Sequence, residues 1–100
     1  MEINSGLIKK DGMKLEYVEI CLYNTTLLLI SGYNAFFMCG ALDTKVYKNR
    51  EVVCGKALGV KSIEQLYDSS IVELSEYALE KGLKVGMTVN EAFKELSKEK

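Results

Sequence analysis

The chain of 100 residues contains no histidine, tryptophan or proline. Histidine is the commonest general base at neutral pH, so its absence removes Ser-His and Cys-His catalytic pairs formed within one chain. The usual histidine-containing zinc sites are excluded for the same reason. An enzyme built on this chain would need another way to activate a nucleophile.

Cysteine is scarce, and its spacing excludes the common small metal sites. Cys21, Cys39 and Cys54 form no C-x-x-C pair, which argues against a local zinc or iron–sulfur knuckle. An odd number of thiols also argues against a disulfide framework. We therefore predict no metal site, and the sequence identifies no cofactor.

Charge and hydropathy give no sign of a nucleic-acid or membrane partner. The net charge is only −1, and no cluster sets aromatic residues among basic ones. The longest apolar runs, Leu27–Ile30 and Ala35–Cys39, are far shorter than a membrane span. The N-terminus lacks the apolar core of a signal peptide. We predict a cytoplasmic protein without nucleic-acid or membrane partners.

The composition is that of one globular domain. Hydrophobic residues make up 48% and charged residues 27% of the chain, a balance typical of folded proteins. A chain of this length buries roughly two-thirds of the surface that it exposes when unfolded. We predict a single domain over residues 1–100, with a lead-in segment at 1–14 and a core at 15–97. Within the lead-in, Gly6 and the stretch Lys9–Gly12 favour a loop or turn.

Three strands are predicted in the first half of the chain. Leu15–Leu22 alternates between apolar and polar residues, as a half-buried strand does. Thr26–Ile30 is continuously apolar after its threonine, which is typical of a strand covered on both faces. Ala35–Leu42 is the third strand. Turn signals at 23–25 and 31–34 make the connections short, so the strands should form an antiparallel meander.

The hydrophobic period changes after the third strand. Asp43 is suited to cap a helix, and apolar residues between positions 46 and 57 recur at helical spacing. The alternative is a short helix followed by a strand over Glu51–Leu58. Both interpretations keep the segment within the same domain.

The last forty residues are predicted to be mostly helical. Patterns of the capping-box type predict helices beginning at Ser62, Ser70 and Thr88, with Gly82 as a left-handed cap at the end of the second. Ile71-Val72 is alternatively the start of a short strand before that second helix. The resulting fold is α+β, a three-stranded antiparallel meander with room for a further strand, followed by C-terminal helices packed on one face as a two-layer sandwich.

The apolar run of the second strand also predicts an oligomer. A strand such as Leu27–Ile30 requires cover on both faces, and a second subunit can supply it by two-fold symmetry. We therefore predict a homo-oligomer, with a dimer favoured. The alternative is that the N-terminal segment folds over that face through Ile3, Leu7 and Ile8.

The segment from Met38 to Asp43 is the candidate functional site. Gly40 leaves space for a ligand beside Cys39, and Asp43 stands at the end of the strand. Amides at the start of a helix capped by Asp43 would favour anions, including a thiolate. Tyr33, in a turn, completes the candidate ligand-contacting residues. The alternative is that Cys39 is a small buried hydrophobe and that Gly40 marks a β-bulge or a close helix crossing.

Several segments follow one another in a specific order. They are Val18–Ile20, Thr26–Ile30, Met38–Leu42, Gly59–Leu66, Val72–Ser75, Gly82–Thr88 and Glu91–Leu96. Over residues 15–97 this order and spacing resembles the YunC-like family of small prokaryotic proteins, a domain of unknown function. The resemblance implies a small α+β cytoplasmic protein without an assigned activity. It places the family's M-C-G-x-L motif on Met38, Cys39, Gly40 and Leu42.

Two classes of function fit these residues. The first is a non-enzymatic homo-oligomer that binds a small ligand or a protein partner at the Met-Cys-Gly segment. The second is a thiol-dependent enzyme or redox sensor with Cys39 as nucleophile. Lys45 or a helix N-terminus would then have to stabilise the thiolate. A structural subunit of a larger complex is a third option.

Overall fold

The computed structural model of the chain describes residues 2–23, 25–39 and 51–98. Within them lies a six-stranded mixed sheet with three helices packed on it. The strands are β1 (Glu2–Lys10), β2 (Met13–Leu22), β3 (Thr25–Gly32), β4 (Ala35–Cys39), β5 (Val53–Ala57) and β6 (Glu73–Leu74). The helices are α1 (Ile63–Asp68), α2 (Glu76–Glu80) and α3 (Val89–Ser97).

The strands lie side by side in the order in which they occur in the sequence. Strands β1 to β4 are successively antiparallel, β5 is parallel to β4, and β6 is antiparallel to β5. The predicted α+β fold, an antiparallel meander followed by helices, is therefore confirmed. The sheet is larger than the predicted three strands, because one strand precedes the meander and two follow it.

The N-terminal segment is part of the sheet, which corrects the prediction of a lead-in over residues 1–14. Residues 2–10 form β1, and they pair with β2 instead of folding over the face of the sheet. The turn signal at Asp11-Gly12 is confirmed, since φ is 55° and 78° at these two residues, as in the favoured two-residue hairpin turns. Most of β1 is exposed, so its sequence carries no strong apolar–polar alternation.

Strand β5 decides between the two interpretations of residues 46–57. Residues 53–57 form a strand, so the helical interpretation is wrong there and the alternative strand within 51–58 is confirmed. Four of these five residues are buried, which removes the alternation that separates a strand from a helix. Asp43 and the rest of the predicted helix up to residue 50 lie outside the described residues.

Two of the three predicted capping patterns begin helices. The Gln65 amide donates to Ser62 Oγ at 3.2 Å, while the Gln65 side chain accepts from the Lys61 amide at 2.8 Å. In the complete capping box of α3, the Glu91 amide donates to Thr88 Oγ1 at 3.2 Å and the Thr88 amide donates to Glu91 Oε1 at 2.9 Å. Both predicted helix starts are confirmed.

The third pattern is not used, and the prediction of a helix starting at Ser70 is wrong. Ser70 forms an isolated bridge with Thr88, and Glu73–Leu74 forms the short strand β6. The alternative short strand therefore exists, but it starts two residues after Ile71. Helix α2 begins after Ser75.

The predicted left-handed cap at the end of α2 is confirmed. Gly82 has φ of 94°. Its amide donates to the Leu79 carbonyl at 3.1 Å, and the Leu83 amide donates to the Ala78 carbonyl at 3.2 Å. This pair of bonds is the Schellman arrangement, and it turns the chain back so that Leu83 is buried.

The core lies between the sheet and the helices. Phe37 of β4 meets Phe93 of α3 edge to face, with ring centroids 5.0 Å apart. Leu28 and Ile30 of β3 are fully buried in the same cluster. Leu27 and Leu29 point to the opposite face and are half-buried, so the predicted complete cover of this strand is found on one face only.

Candidate functional site

Strand β4 separates the residues of the predicted site. Adjacent residues of a strand point to opposite faces of the sheet. Cys39 faces the helices and is 7% exposed, whereas Met38 is half-buried on the other face, opposite Leu29. The two side chains therefore do not line one surface.

The thiol of Cys39 takes part in the main-chain hydrogen bonding of the sheet. The Leu28 amide donates to Cys39 Sγ at 3.3 Å, and the thiol donates to the Thr26 carbonyl at 3.7 Å. The regular pairing of β3 with β4 extends from Gly32 to Leu29. The Leu28 amide lies just beyond the last pair, and it donates its hydrogen bond to the sulfur instead of to a main-chain carbonyl. Since buried polar groups require partners, this arrangement gives Cys39 a structural role.

The remaining predicted residues do not join Cys39. Gly40, Asp43 and Lys45 lie outside the described residues. Tyr33 lies in the β3–β4 turn with φ of 50° and lines a cavity of about 310 Å³. The four steps of β4 from Ala35 to Cys39 span roughly 13 Å at ~3.3 Å each, so Tyr33 and Cys39 lie at opposite ends of this strand. The described part of the predicted site is thus dispersed along β4.

A cleft on the helix side of the sheet was not predicted. It lies between the β1–β2 hairpin and α1 and has a volume of about 410 Å³, within the ~300–1,000 Å³ typical of small-molecule sites. Its lining consists of Leu7, Ile8, Lys9, Lys10, Tyr17, Glu19, Ser62, Ile63, Glu64 and Tyr67. The sequence conceals this cleft because one wall belongs to the supposed lead-in and the other follows about fifty positions later.

Gly6 positions one aromatic wall of the cleft. A Cβ atom built at Gly6 would lie 2.9 Å from Cε2 of Tyr17, closer than van der Waals contact allows. Without that atom, the Tyr17 ring lies directly against β1. Gly6 therefore serves close packing within a strand, where the sequence had indicated a loop.

Tyr67 forms a second aromatic wall and is fixed by polar contacts. Its hydroxyl donates to Asp11 Oδ2 at 2.8 Å, and Lys10 Nζ lies 5.4 Å from its ring centroid. Lys94 Nζ lies 3.9 Å from the same Asp11 oxygen. Burial, the hydrogen bond to Asp11 and the nearby negative charges raise the pKa of Tyr67 to about 12, so the phenol stays neutral at physiological pH.

Two carboxylates at the cleft, those of Asp11 and Glu19, already have partners, and Glu64 adds a further carboxylate to the lining. Asp11 accepts the Tyr67 hydrogen bond and lies beside Lys94, while Glu19 Oε1 accepts from Asn4 Nδ2 at 3.2 Å. Among the described residues, the ion pairs include neither Lys9 nor Lys10. The cleft thus offers the Lys10 ammonium next to aromatic and aliphatic surface.

The other two thiols are not part of this cleft. Burial raises the pKa of the Cys54 thiol, with a smaller contribution from the charge of Glu73 and an opposing one from the hydrogen bond with Ser75. Cys21 is half-buried on β2. In residues 2–23, 25–39 and 51–98, no three cysteine or acidic side chains are grouped as a metal site would require. No helix in these ranges has the length and apolar character needed to span a membrane.

Comparison with known proteins shows the family. Residues 38–96 match the family described as a domain of unknown function, DUF1805. The chain belongs to the DUF1805 family. The uncharacterized protein YunC of Bacillus subtilis (strain 168) is 32% identical over 100 residues, which cover 96% of this chain and 99% of that protein. The resemblance to the YunC-like family is thereby confirmed.

A solved structure shares the DUF1805 fold described above. The crystal structure of a protein of unknown function, TA1206 from Thermoplasma acidophilum, superposes with a TM-score of 0.85 over 95% of this chain and 93% of that one. The identity is 23%, so this likeness concerns the fold. The DUF1805 match includes Met38, Cys39 and α1, whereas β1 and β2 precede it.

Proposed function

We propose that this DUF1805 protein is a cytoplasmic homo-oligomeric module that binds a small ligand in the cleft between the β1–β2 hairpin and α1. The observation that carries the proposal is the cleft itself, a concave space of about 410 Å³ with aromatic walls of fixed position. Concave, partly apolar sites with a few polar groups are where proteins bind small molecules. The binding function of the sequence-based hypothesis is kept, but its location moves away from Cys39.

The lining favours an aromatic anion. Half-buried Tyr17 presents ring surface to a flat apolar group, and Ile8 and Ile63 add aliphatic surface. Tyr67 lies beside this surface and is itself only 4% exposed. Lys10 lies at the Tyr67 ring without a carboxylate partner among the described residues, so its ammonium can pair with a carboxylate of the ligand. Asp11 and Glu19, in contrast, are already hydrogen-bonded.

The test is a titration followed by amide NMR shifts, with two probes that share one ring. Indole-3-acetate carries an anion and tryptamine carries a cation. We expect indole-3-acetate to shift the amides of the hairpin and α1, and Tyr17→Ala to weaken its binding at least tenfold. Tyr23→Ala is the control, because Tyr23 is fully exposed and does not line the cleft.

Three outcomes would contradict the proposal. Amide shifts confined to residues outside the cleft would place the binding site elsewhere. Equal affinity of the Tyr17→Ala and wild-type proteins for indole-3-acetate would show that the Tyr17 ring does not contribute to binding. Preference for tryptamine would reverse the proposed charge of the ligand. The Cys39 sulfur is already hydrogen-bonded within the sheet, which disfavours the thiol-enzyme alternative.

A further inference from the structure

Strand β1 forms one edge of the sheet. In the described part of the chain, no strand pairs with its outer side. Seven of its nine residues are exposed, and its pairing with β2 is continuous from Glu2 to Lys10 without a bulge. Long, regular and exposed edges pair readily with another strand, and proteins usually block them with bulges, proline or charges. Here the charged residues lie only at the two ends, at Glu2 and at Lys9-Lys10.

The hydrogen-bond pattern identifies the main-chain groups on that edge. The Leu28 amide points toward β4, because it donates to Cys39. The main-chain groups of successive residues point to opposite sides of a strand, so those of Leu29 point toward β2 and bond with Val18. The main-chain groups of the next residue of β2, Tyr17, therefore point toward β1 and bond with Gly6. The outward N–H and C=O groups of β1 therefore belong to the alternate residues Ile3, Ser5, Leu7 and Lys9.

Two of these residues, Ile3 and Leu7, make an apolar margin along the edge. Ile3 is 58% exposed and Leu7 is 52% exposed. Ile3 lies opposite Ile20, and Ser5 lies opposite Val18, so the margin continues the apolar face of β2. An exposed edge with an apolar margin fits another strand that presents the same features.

We propose that two copies of the chain pair antiparallel through β1, with the two-fold axis at Ser5. This register sets Ile3 of each subunit opposite Leu7 of the other, so apolar residues face one another. An axis at Gly6 would instead set Ile3 against Lys9. The inference rests on the homo-oligomer of the proposed function and identifies its interface.

Charge along β1 favours the antiparallel arrangement. Glu2 stands at its start and Lys10 at its end, and both side chains lie on the helix side of the sheet. With the axis at Ser5, Glu2 lies opposite Ile8 and diagonal to Lys10 of the other subunit, at about 7–8 Å. Parallel pairing in register would set like charges together. The pairing is isologous and produces one continuous sheet through both subunits.

Cross-linking tests the register. Residues directly opposite in a hydrogen-bonded antiparallel pair have Cα atoms about 5.5 Å apart, within the ~4.4–6.8 Å of disulfides. Ser5→Cys should therefore form a covalent dimer under mild oxidation. Lys9→Cys is the matched control on the same strand and face, and its two copies would lie roughly 26 Å apart at ~3.3 Å per residue. Failure of Ser5→Cys to cross-link, or equal cross-linking of both variants, would overturn the register.

Sedimentation of the full chain tests the interface. The wild-type protein should sediment as twice its chain mass of 11.2 kDa. Ser5→Pro removes an outward N–H that β2 does not use, and proline is tolerated on edge strands, so this variant should be monomeric with an unchanged circular dichroism spectrum. Ser5→Thr keeps the N–H and should stay dimeric.

The outcomes separate this inference from the proposed function. A dimeric Ser5→Pro variant would overturn the β1 interface and leave the homo-oligomer standing. A wild-type protein that is monomeric at tens of micromolar would overturn both. The cross-linking pair decides the interface even where Ser5→Pro fails to fold.

Discussion

Replacing Ser75 with alanine should destabilise the protein more than replacing either of the other helix caps in the described residues, Ser62 and Thr88. The side chain is buried, and its hydroxyl accepts from the Cys54 amide at 3.2 Å and from the Ala78 amide at 3.3 Å. It donates to the Val52 carbonyl at 2.6 Å. One hydroxyl thus holds the beginning of α2 against the beginning of β5.

The expected loss is about 3 kcal/mol. Loss of the helix cap at Ala78 costs about 1 kcal/mol. The buried Cys54 amide loses a partner that no water can replace, which costs about 1–3 kcal/mol. Val52 is half-buried, so its carbonyl can bond to water and adds little.

Urea unfolding of Ser75→Ala and Ser62→Ala measures the difference. Ser62 caps α1 through one bond to the Gln65 amide in an exposed setting, so its substitution should cost about 1 kcal/mol. The urea dependence of the unfolding free energy should be the same for both variants, because both unfold the same surface. A loss for Ser75→Ala no larger than that for Ser62→Ala would refute the reasoning.

Three further predictions concern ionisable groups. The pKa of Tyr67 rises from 10.0 to about 12 on folding, so its stabilisation is complete below pH 10 and is lost as the pH rises toward 12. Denaturation against pH should show an alkaline fall in the unfolding free energy, of up to about 3 kcal/mol, that Tyr67→Phe lacks, and equal falls would contradict the assignment. The pKa of Glu91 is lowered by the hydrogen bonds of its capping box, so its stabilisation is present above its ordinary value of 4.5 and is lost as the pH falls through its folded pKa. The unfolding free energy of Glu91→Gln should therefore fall less at acid pH than that of the wild-type protein. The same fall in both proteins would contradict a stabilising role for the capping box. Iodoacetamide should modify half-buried Cys21 at least tenfold faster than Cys39 or Cys54 in the folded protein, as read by mass spectrometry. Rapid labelling of Cys39 would instead support the thiol-enzyme alternative.

The sequence predicted those elements whose signals are local. The turn signals at 23–25 and 31–34, which lie between apolar runs, were sufficient to predict the meander. The capping patterns at Ser62 and Thr88 correctly predicted two helix starts. Strand β5 was ambiguous because burial of most of its residues removes the alternation of a strand. The helix start predicted at Ser70 was wrong because Ser75, five residues later, caps the helix instead. The Ser75 hydroxyl accepts from the buried amides of Cys54 and Ala78.

The candidate site was harder to predict because it depends on contacts between distant segments. The identities of Tyr17 and Tyr67 are visible in the sequence, but their meeting across the cleft requires β1 as a strand and α1 above it. Gly6 was the available signal, since a glycine within an extended segment marks close approach by another group. Cys39 was predicted as a site residue because a thiol can act as a nucleophile. In the structure its sulfur accepts the hydrogen bond of the Leu28 amide.

The order of elements along the chain has a consequence for protein synthesis. The four-stranded meander ends at Cys39, and Phe93 of α3, which packs against Phe37, lies 56 positions after Phe37 in the sequence. At ~5–20 residues per second, the ribosome needs roughly 3–11 s to add the residues between Phe37 and Phe93. During this time the sheet emerges from the ribosome with Leu28, Ile30 and Phe37 unshielded. The nascent N-terminal half is therefore the stage at which this small protein is most exposed to aggregation and to capture by chaperones.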